Sequence, residues 1–475
     1  MRTRTTPIST IAVTAILLAL LAKFFWPLAT FGWPLGYDAG IYRYLFTQHA
    51  TGFPPLWIGD IEPWARSQPL GLFFFSTILV RLGIPVDWLT GWIWNLFPVA
   101  LACTLAWVTA KREGKEIGML VLVAAFLSVA YYDGFAAMYW KTYASLLFCV
   151  LGFHFLEKRS LWALLFGSIA IMTHHQTGLL FGLSVATWWL IGILRSKKGK
   201  ERDQWLMMLC CGLCILAIGL VSYLPVWREA IADNLWLLLH PSDAPGGNFP
   251  PLSFYLRQEG ILLLCGAYGF VRSFRRESGT LWQCAVLWAA AFIALHFLFY
   301  RRFFLQLDFF LLPFAALGIY DLWDRARHPI LRGILILLLL MQATFAVFVI
   351  PMRTPYVDGE TFAAAARLQT ELPPNATIIV PENISAVVVR GWAPDARVVA
   401  PGIFESVWTY DQWKAFILGT NKDRLSLLKS LKSPVMIFVA PAFSAFYGTS
   451  GDAFLRDACF QKTDDPFLLR VTCIP

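Results

Sequence analysis

The sequence predicts a polytopic α-helical membrane protein of about eleven transmembrane helices, followed by a small C-terminal α/β domain. Three observations predict it. Of the 475 residues, 58% are hydrophobic and only 15% are charged, which is more apolar surface than one soluble core can use, so lipid must solvate much of it. Apolar runs at 8–22, 117–131, 204–225 and 330–350 each approach the roughly 20 residues that cross a hydrocarbon core. Lys and Arg gather in short segments that all fall on one side when helices are laid along the chain, as the cytoplasmic bias of basic loops requires.

The first helix is expected at 8–30. Its apolar run from Ile8 to Ala22 continues into Lys23 and aromatic residues with no small-residue cleavage pattern, so it reads as a retained helix rather than a removed leader. Further helices are expected at 88–110, 116–131, 139–156, 160–174, 176–194, 204–225, 255–271, 280–299, 303–323 and 330–350. With Arg2 and Arg4 cytoplasmic, the inner loops carry Lys111 and Arg112, Lys158 and Arg159, the 195–202 cluster, Arg272 to Arg276, and Arg325 to Arg332. The odd number of crossings places the tail outside the plasma (inner) membrane. The expected organisation is a transmembrane domain at 1–350 and an extracytoplasmic α/β domain at 351–475.

The apolar run at 70–82 is too short for a crossing and is followed by Gly83 and Pro85, so a re-entrant or interfacial helix is expected within a long first outer loop, 31–87. A second outer loop, 226–254, is rich in Pro, Gly and Asn and reads as irregular. The tail alternates helical pattern at 359–372, 411–418 and 423–431 with strand-like runs at 377–380, 386–389, 435–439 and 468–471.

The formal charge of +9 lies wholly in residues 1–350, because 351–475 carry 12 basic and 12 acidic residues. That is a topology signal and argues against a nucleic-acid partner. Seven of the nine cysteines sit in apolar segments; Cys459 and Cys473 lie in the tail and permit one disulfide in an oxidising compartment.

Asp38 follows the first helix among aromatics, where a carboxylate is costly unless paired or used; a helix cap is the alternative role. The same loop offers Arg43, Asp60 and Glu62 as substrate-binding candidates. Asp133 and Lys141 flank the next outer turn, Asp133 as a second catalytic candidate and Lys141 as a substrate-binding one. His174 and His175 raise a divalent-metal reading, against that of a polar helix-to-helix turn. Arg301 and Arg302 stand on the side that disfavours cations, and guanidinium groups suit phosphate; an ion pair of Arg301 with Asp308 is the competing expectation.

This layout of first helix, long outer loop opening with an acidic residue, interfacial helices, many further crossings and an outer domain resembles the GT-C membrane glycosyltransferases. That class includes lipid-phosphate-sugar mannosyltransferases, aminoarabinose transferases and oligosaccharyltransferase subunits. The resemblance implies that Asp38 acts as catalytic base or metal ligand and that Arg301 and Arg302 hold a donor phosphate. It implies transfer of a sugar from a polyprenyl-phosphate-linked donor to a glycan, lipid or protein acceptor among membrane lipids. Asp38 is followed by Ala39 rather than a second acidic residue, and no Trp-Trp-Asp occurs in the tail, which argues against peptide glycosylation. A secondary transporter or lipid flippase, or a noncatalytic polysaccharide-assembly protein, are the alternative classes.

Overall fold

The computed structural model describes residues 10–53, 68–196, 199–232, 235–236, 240, 247, 249–277, 279–297, 299–373, 375–402, 407–432 and 434–474. Asp60 and Glu62 lie outside the described residues. The chain packs as two compact units, one formed by the described residues of 10–32, 68–75 and 91–354, the other by those of 33–53, 76–90 and 355–474.

In the first unit every expected apolar segment is helical: Thr10–Phe31, Trp92–Glu113, Lys115–Leu127 with Val129–Ala136, Trp140–Glu157, Trp162–Thr173, His175–Arg195, Lys200–Val221, Gly260–Arg276, Leu281–Ala294, Phe303–Arg325 and Pro329–Met352. Among the described residues, six of these are long and apolar enough to cross a membrane, or seven if the bent pair counts as one span. The count falls short of eleven partly because Trp162–Thr173 and Leu281–Ala294 are only 12 and 14 residues long. Gly71–Arg81 is a short apolar helix, as expected for the 70–82 run.

Small residues set a close helix contact in this unit. A Cβ on Gly269 would stand 1.8 Å from the Phe314 carbonyl oxygen, and one on Gly318 would stand 2.2 Å from that of Cys265. Helices Gly260–Arg276 and Phe303–Arg325 therefore meet backbone to backbone, the approach that small residues permit where lipid supplies no hydrophobic drive.

Two expected helices are broken. The one at 116–131 bends by 58° at Ser128, and the one at 255–271 divides at Glu259 into Leu252–Gln258 and Gly260–Arg276. Each break frees backbone groups that must find partners, and side chains of Glu259, Lys23 and Gln342 supply them, as described below.

The second unit is built on a five-stranded sheet of β1 (Thr377–Ile379), β2 (Arg397–Val399), β3 (Val435–Phe438), β4 (Phe460–Lys462) and β5 (Leu468–Val471), in the order β2-β1-β3-β5-β4. β1 pairs parallel with β2 and β3, while β5 runs antiparallel to β3 and β4. Side chains alternate between two covered faces. Ile378, Val398, Met436 and Phe438 pack on helices Gly359–Glu371 and Asn383–Trp392; Ile379, Val399, Val435 and Ile437 pack on the side that holds Trp413, Phe416, Leu428 and Phe443.

The expected strand at 386–389 is instead part of helix Asn383–Trp392. Its β-branched run is buried against the sheet, and Glu382 caps it by accepting from the Ile384 and Ser385 N–H groups, so tertiary burial and a cap override strand propensity. Residues of the first loop join this unit. Helix Ala39–Ala50 crosses helix Asn383–Trp392 so closely that a Cβ on Gly40 would lie 1.8 Å from the Val387 carbonyl oxygen. Cys459 and Cys473 form a disulfide.

Candidate donor site and the buried charge network

An apolar cavity of about 480 Å³ lies between helices His175–Arg195 and Lys200–Val221 of the first unit, lined by Ile171, Phe181, Val185, Leu213, Leu216 and their neighbours, with His175 in its wall. Lys141 and Arg302 are both within electrostatic reach of His174 and His175. Of these sequence candidates His175 lines the cavity, and His174 precedes it in the chain.

The surroundings hold Arg302 in place. Its guanidinium lies over the Tyr139 ring at 5.2 Å and the Phe299 ring at 4.9 Å, a cation–π arrangement. Its Nε is buried and meets no acceptor among the described residues. Three non-glycine residues in left-handed backbone flank this contact: Met138 before Tyr139 (φ 62°), and His296 and Phe299 before Arg302 (φ 54° and 52°). Such conformations cost about 1–3 kcal/mol each and concentrate at functional sites. Lys141 donates to Gln68 Oε1. Arg301 turns to the Tyr300 ring, 5.8 Å away.

His174 and His175 stand without a third ligand of the His, Cys, Asp or Glu type among the described residues. His174 caps helix His175–Arg195, its Nδ1 2.9 Å from Thr177 Oγ1 and accepting from the Thr177 N–H. Among the described residues no group of three or more His, Cys, Asp and Glu side chains is arranged to hold a metal.

Asp133 is a buried, paired carboxylate. It is 5% exposed; its Oδ1 accepts from Arg353 Nε at 2.8 Å and its Oδ2 from Tyr255 Oη at 3.0 Å. Asp308 likewise turns to Ser128 rather than Arg301, accepting from Ser128 Oγ at 2.6 Å.

These residues border the two helix breaks. Beyond Ser128 the first free N–H groups, of Val129 and Ala130, donate to Glu259 Oε2 at 2.6 and 3.0 Å. The carbonyls of Phe126 and Ser128 accept from Lys23 Nζ at 2.6 and 2.8 Å. Gln342 Nε2 donates to the carbonyls of Leu127 (3.3 Å) and Gln258 (3.0 Å), one beside each break. A cation closes the carbonyl end and a carboxylate the N–H end, as the helix termini demand. Sequence reasoning missed Lys23, Glu259 and Arg353; the available signal was an ionisable residue inside or beside an apolar segment.

In the second unit Asp38 stands at the N-cap position of helix Ala39–Ala50, half-buried, and its side chain makes no capping hydrogen bond. Tyr37 beside it has its phenol pushed up by burial, with Asp38 and Glu382 adding to the effect, so the hydroxyl stays protonated. Arg43 is engaged within this unit, donating to Asp87 Oδ1 at 2.7 Å and to the Gly391 carbonyl at 2.6 Å, with Trp392 under its guanidinium.

No protein-family model and no curated protein matches the sequence. Solved structures do match in fold. The apo oligosaccharyltransferase of Archaeoglobus fulgidus superposes with a TM-score of 0.62 at 11% identity, covering 94% of this chain and 71% of that one. ArnT from Cupriavidus metallidurans in the apo state gives 0.62 at 12% identity over 98% of both chains. The same enzyme bound to undecaprenyl phosphate gives 0.61 at 12% identity, again over 98% of both. At such identities the likeness establishes the fold: the chain is a multi-pass membrane protein with the architecture of the GT-C glycosyltransferases.

Proposed function

We propose that the chain transfers a sugar from a polyprenyl-phosphate-linked donor to an acceptor at the outer face of the membrane, with the expected eleven crossings and an extracytoplasmic C-terminal domain. The observation that carries this reading is the apolar cavity beside His175 with Arg302 and Lys141 in electrostatic reach. An isoprenoid tail needs an apolar groove, and its phosphate needs fixed cations. The unpartnered Arg302 Nε supports the same assignment. The likeness to an ArnT structure bound to undecaprenyl phosphate supports the donor class. The disulfide in the tail supports an oxidising location.

In this reading Arg302 and Lys141 bind the donor phosphate and stabilise it as it departs, while Asp38 takes the proton of the acceptor hydroxyl as the oxygen attacks the anomeric carbon. Asp133 supports the fold through Arg353 and Tyr255. No step is assigned to a metal ion.

The test is transfer of radiolabelled sugar from a panel of undecaprenyl-phosphate sugars by purified protein in nanodiscs. Asp38→Asn is expected to lower turnover by about 10²- to 10⁴-fold with donor binding retained. Arg302→Ala is expected to weaken donor binding by about 10- to 100-fold, the worth of a charge-assisted hydrogen bond. Turnover by Asp38→Asn at the wild-type rate would sink the base assignment.

One observation favours a second reading. Broken helices lined by buried carboxylates also build the ion sites of secondary transporters, and Ser128 and Glu259 stand at two such breaks with Asp308 bonded to Ser128. Solute or lipid crossing the bilayer without donor consumption would select it.

A further inference from the structure

The second unit holds a cavity of about 780 Å³ that the transfer reaction does not use. Its position follows from the sheet. Residues Pro381 to Ile384 follow β1, Pro401 and Gly402 follow β2, and Ala442 follows β3, so the cavity opens at the carboxyl ends of all three parallel strands. The chain passes from β1 to β2 on one side and from β2 to β3 on the other. The cavity therefore lies at the topological switch point, where open α/β sheets bind ligands. Its volume falls within the range of about 300–1,000 Å³ typical of small-molecule sites.

The lining defines the ligand. In dinucleotide-binding sheets the N-terminus of the helix after β1 receives a phosphate. Here that position is filled: Glu382 accepts from the Ile384 N–H at 2.6 Å and the Ser385 N–H at 2.9 Å. A second anion at the same N–H groups would meet a carboxylate, so this helix N-terminus is closed to phosphate. The walls are aromatic, with Trp413 and Tyr447 inside and Tyr410 and Phe446 at the rim, 82% and 79% exposed. Two exposed rings at one cavity mouth provide flat faces of negative potential, on which the polarised C–H face of a pyranose rests. Asn383, Thr409 and Lys414 add polar groups for hydroxyls. The Tyr447 phenol is pushed up by burial first, then by Glu382 and Tyr410; it donates to the Pro381 carbonyl at 3.4 Å and leaves its oxygen as an acceptor.

We infer that this cavity binds a neutral oligosaccharide, with Tyr410 and Phe446 as its stacking platforms. The inference stands whether or not the chain transfers sugar, because binding here is read without donor.

The experiment is calorimetry and tryptophan fluorescence on the full chain in nanodiscs. The probes are neutral di- to tetrasaccharides of glucose, mannose, galactose and N-acetylglucosamine, with glucose 1-phosphate and a nucleoside-diphosphate sugar as charged probes. At least one neutral oligosaccharide is expected to bind, with affinity falling about tenfold in each of Tyr410→Ala and Phe446→Ala. Both rings are exposed, so the variants keep the wild-type melting temperature and the wild-type affinity for polyprenyl-phosphate donor. Three outcomes each overturn the inference: no neutral saccharide bound up to about 10 mM, binding unchanged in both variants, or a phosphorylated probe bound more tightly than every neutral one.

Discussion

Replacing Lys23 by methionine keeps the length and apolar volume of the side chain and removes its charge and donors. Lys23 is 2% exposed, and its ammonium is bonded to the Phe126 and Ser128 carbonyls with Glu259 and Asp308 within electrostatic reach. Two carbonyls in the interior of the bundle then lose their partner, at about 1–3 kcal/mol each. Two carboxyl groups lose their nearby cation, and removal of one partner of a buried charge cluster costs about 3–5 kcal/mol. The contributions overlap, so the expected loss is about 3–5 kcal/mol. At ~1–2 °C per kcal/mol for a chain of this size, extending the trend in smaller domains, the apparent Tm falls by about 3–10 °C. The assay is thermal unfolding in nanodiscs, followed by intrinsic fluorescence. Because the loss is partly charge imbalance, Glu259→Gln in the Lys23→Met background is expected to recover part of it, with a coupling of about 0.5–3 kcal/mol in the double-mutant cycle. A Lys23→Met protein that melts within 1 °C of wild type, near noise for this chain, would refute the closing role of the ammonium. An additive cycle would refute its coupling to Glu259.

Three further outcomes follow from the second unit. Gly40→Ala drives a methyl into the Val387 carbonyl, whereas a Cβ on Gly52 meets nothing within 4 Å; the first variant is expected to become rapidly proteolysed between helices Ala39–Ala50 and Asn383–Trp392 and the second to resist like wild type. Arg424 pairs with Asp457 at 2.6 Å and donates to the Phe416 and Ile417 carbonyls; Arg424→Met leaves a buried carboxylate and is expected to cost about 3–5 kcal/mol, read as a lower Tm that Asp457→Asn partly restores. The Thr420 hydroxyl and N–H hold the Asp423 carboxyl below the usual carboxylate range. Its folded value being depressed, the stabilisation is present above the ordinary value and lost as pH falls through the lowered one, so the Tm gap between wild type and Asp423→Asn is expected at pH 7 and to close below about pH 4.

Apolar length and basic punctuation made the helices legible, because both are local properties of the chain. The breaks were not. Ser128 sits in an apolar run as one more small residue, and only its tertiary partners, 131 and 180 residues away at Glu259 and Asp308, reveal it as a terminus. Glu259 fell inside an expected helix and Arg353 at the start of the expected tail, yet each faces a buried group of opposite character. In the tail, Ala386 to Val389 carried strand propensity but had Glu382 in capping position, and the cap was the better signal. The three-residue strands Arg397–Val399 and Phe460–Lys462 were not read from the sequence, whereas Thr377–Ile379, equally short, was read within the run 377–380. At the proposed donor site, the cationic character of Arg302 and Lys141 was legible in sequence. The apolar cavity beside them was not, since it is formed between helices.

The N-terminal fifty residues do more than anchor the chain, and the reason is the same in each unit. In the first, Lys23 places an ammonium on carbonyls more than 100 residues later in sequence. In the second, Arg43 places a guanidinium on the Gly391 carbonyl, 348 residues later, and Asp87 balances its charge. A buried carbonyl without a donor is costly in either environment, and both donors come from this one segment. Two features next to these donors narrow the tolerance further: Phe24 packs edge-on against Tyr131 and Phe135, and Gly40 admits no side chain. An isolated anchor tolerates exchange for any apolar helix of equal length. This segment does not, because the identity of Lys23, Gly40 and Arg43 determines whether backbone groups elsewhere in each unit are satisfied.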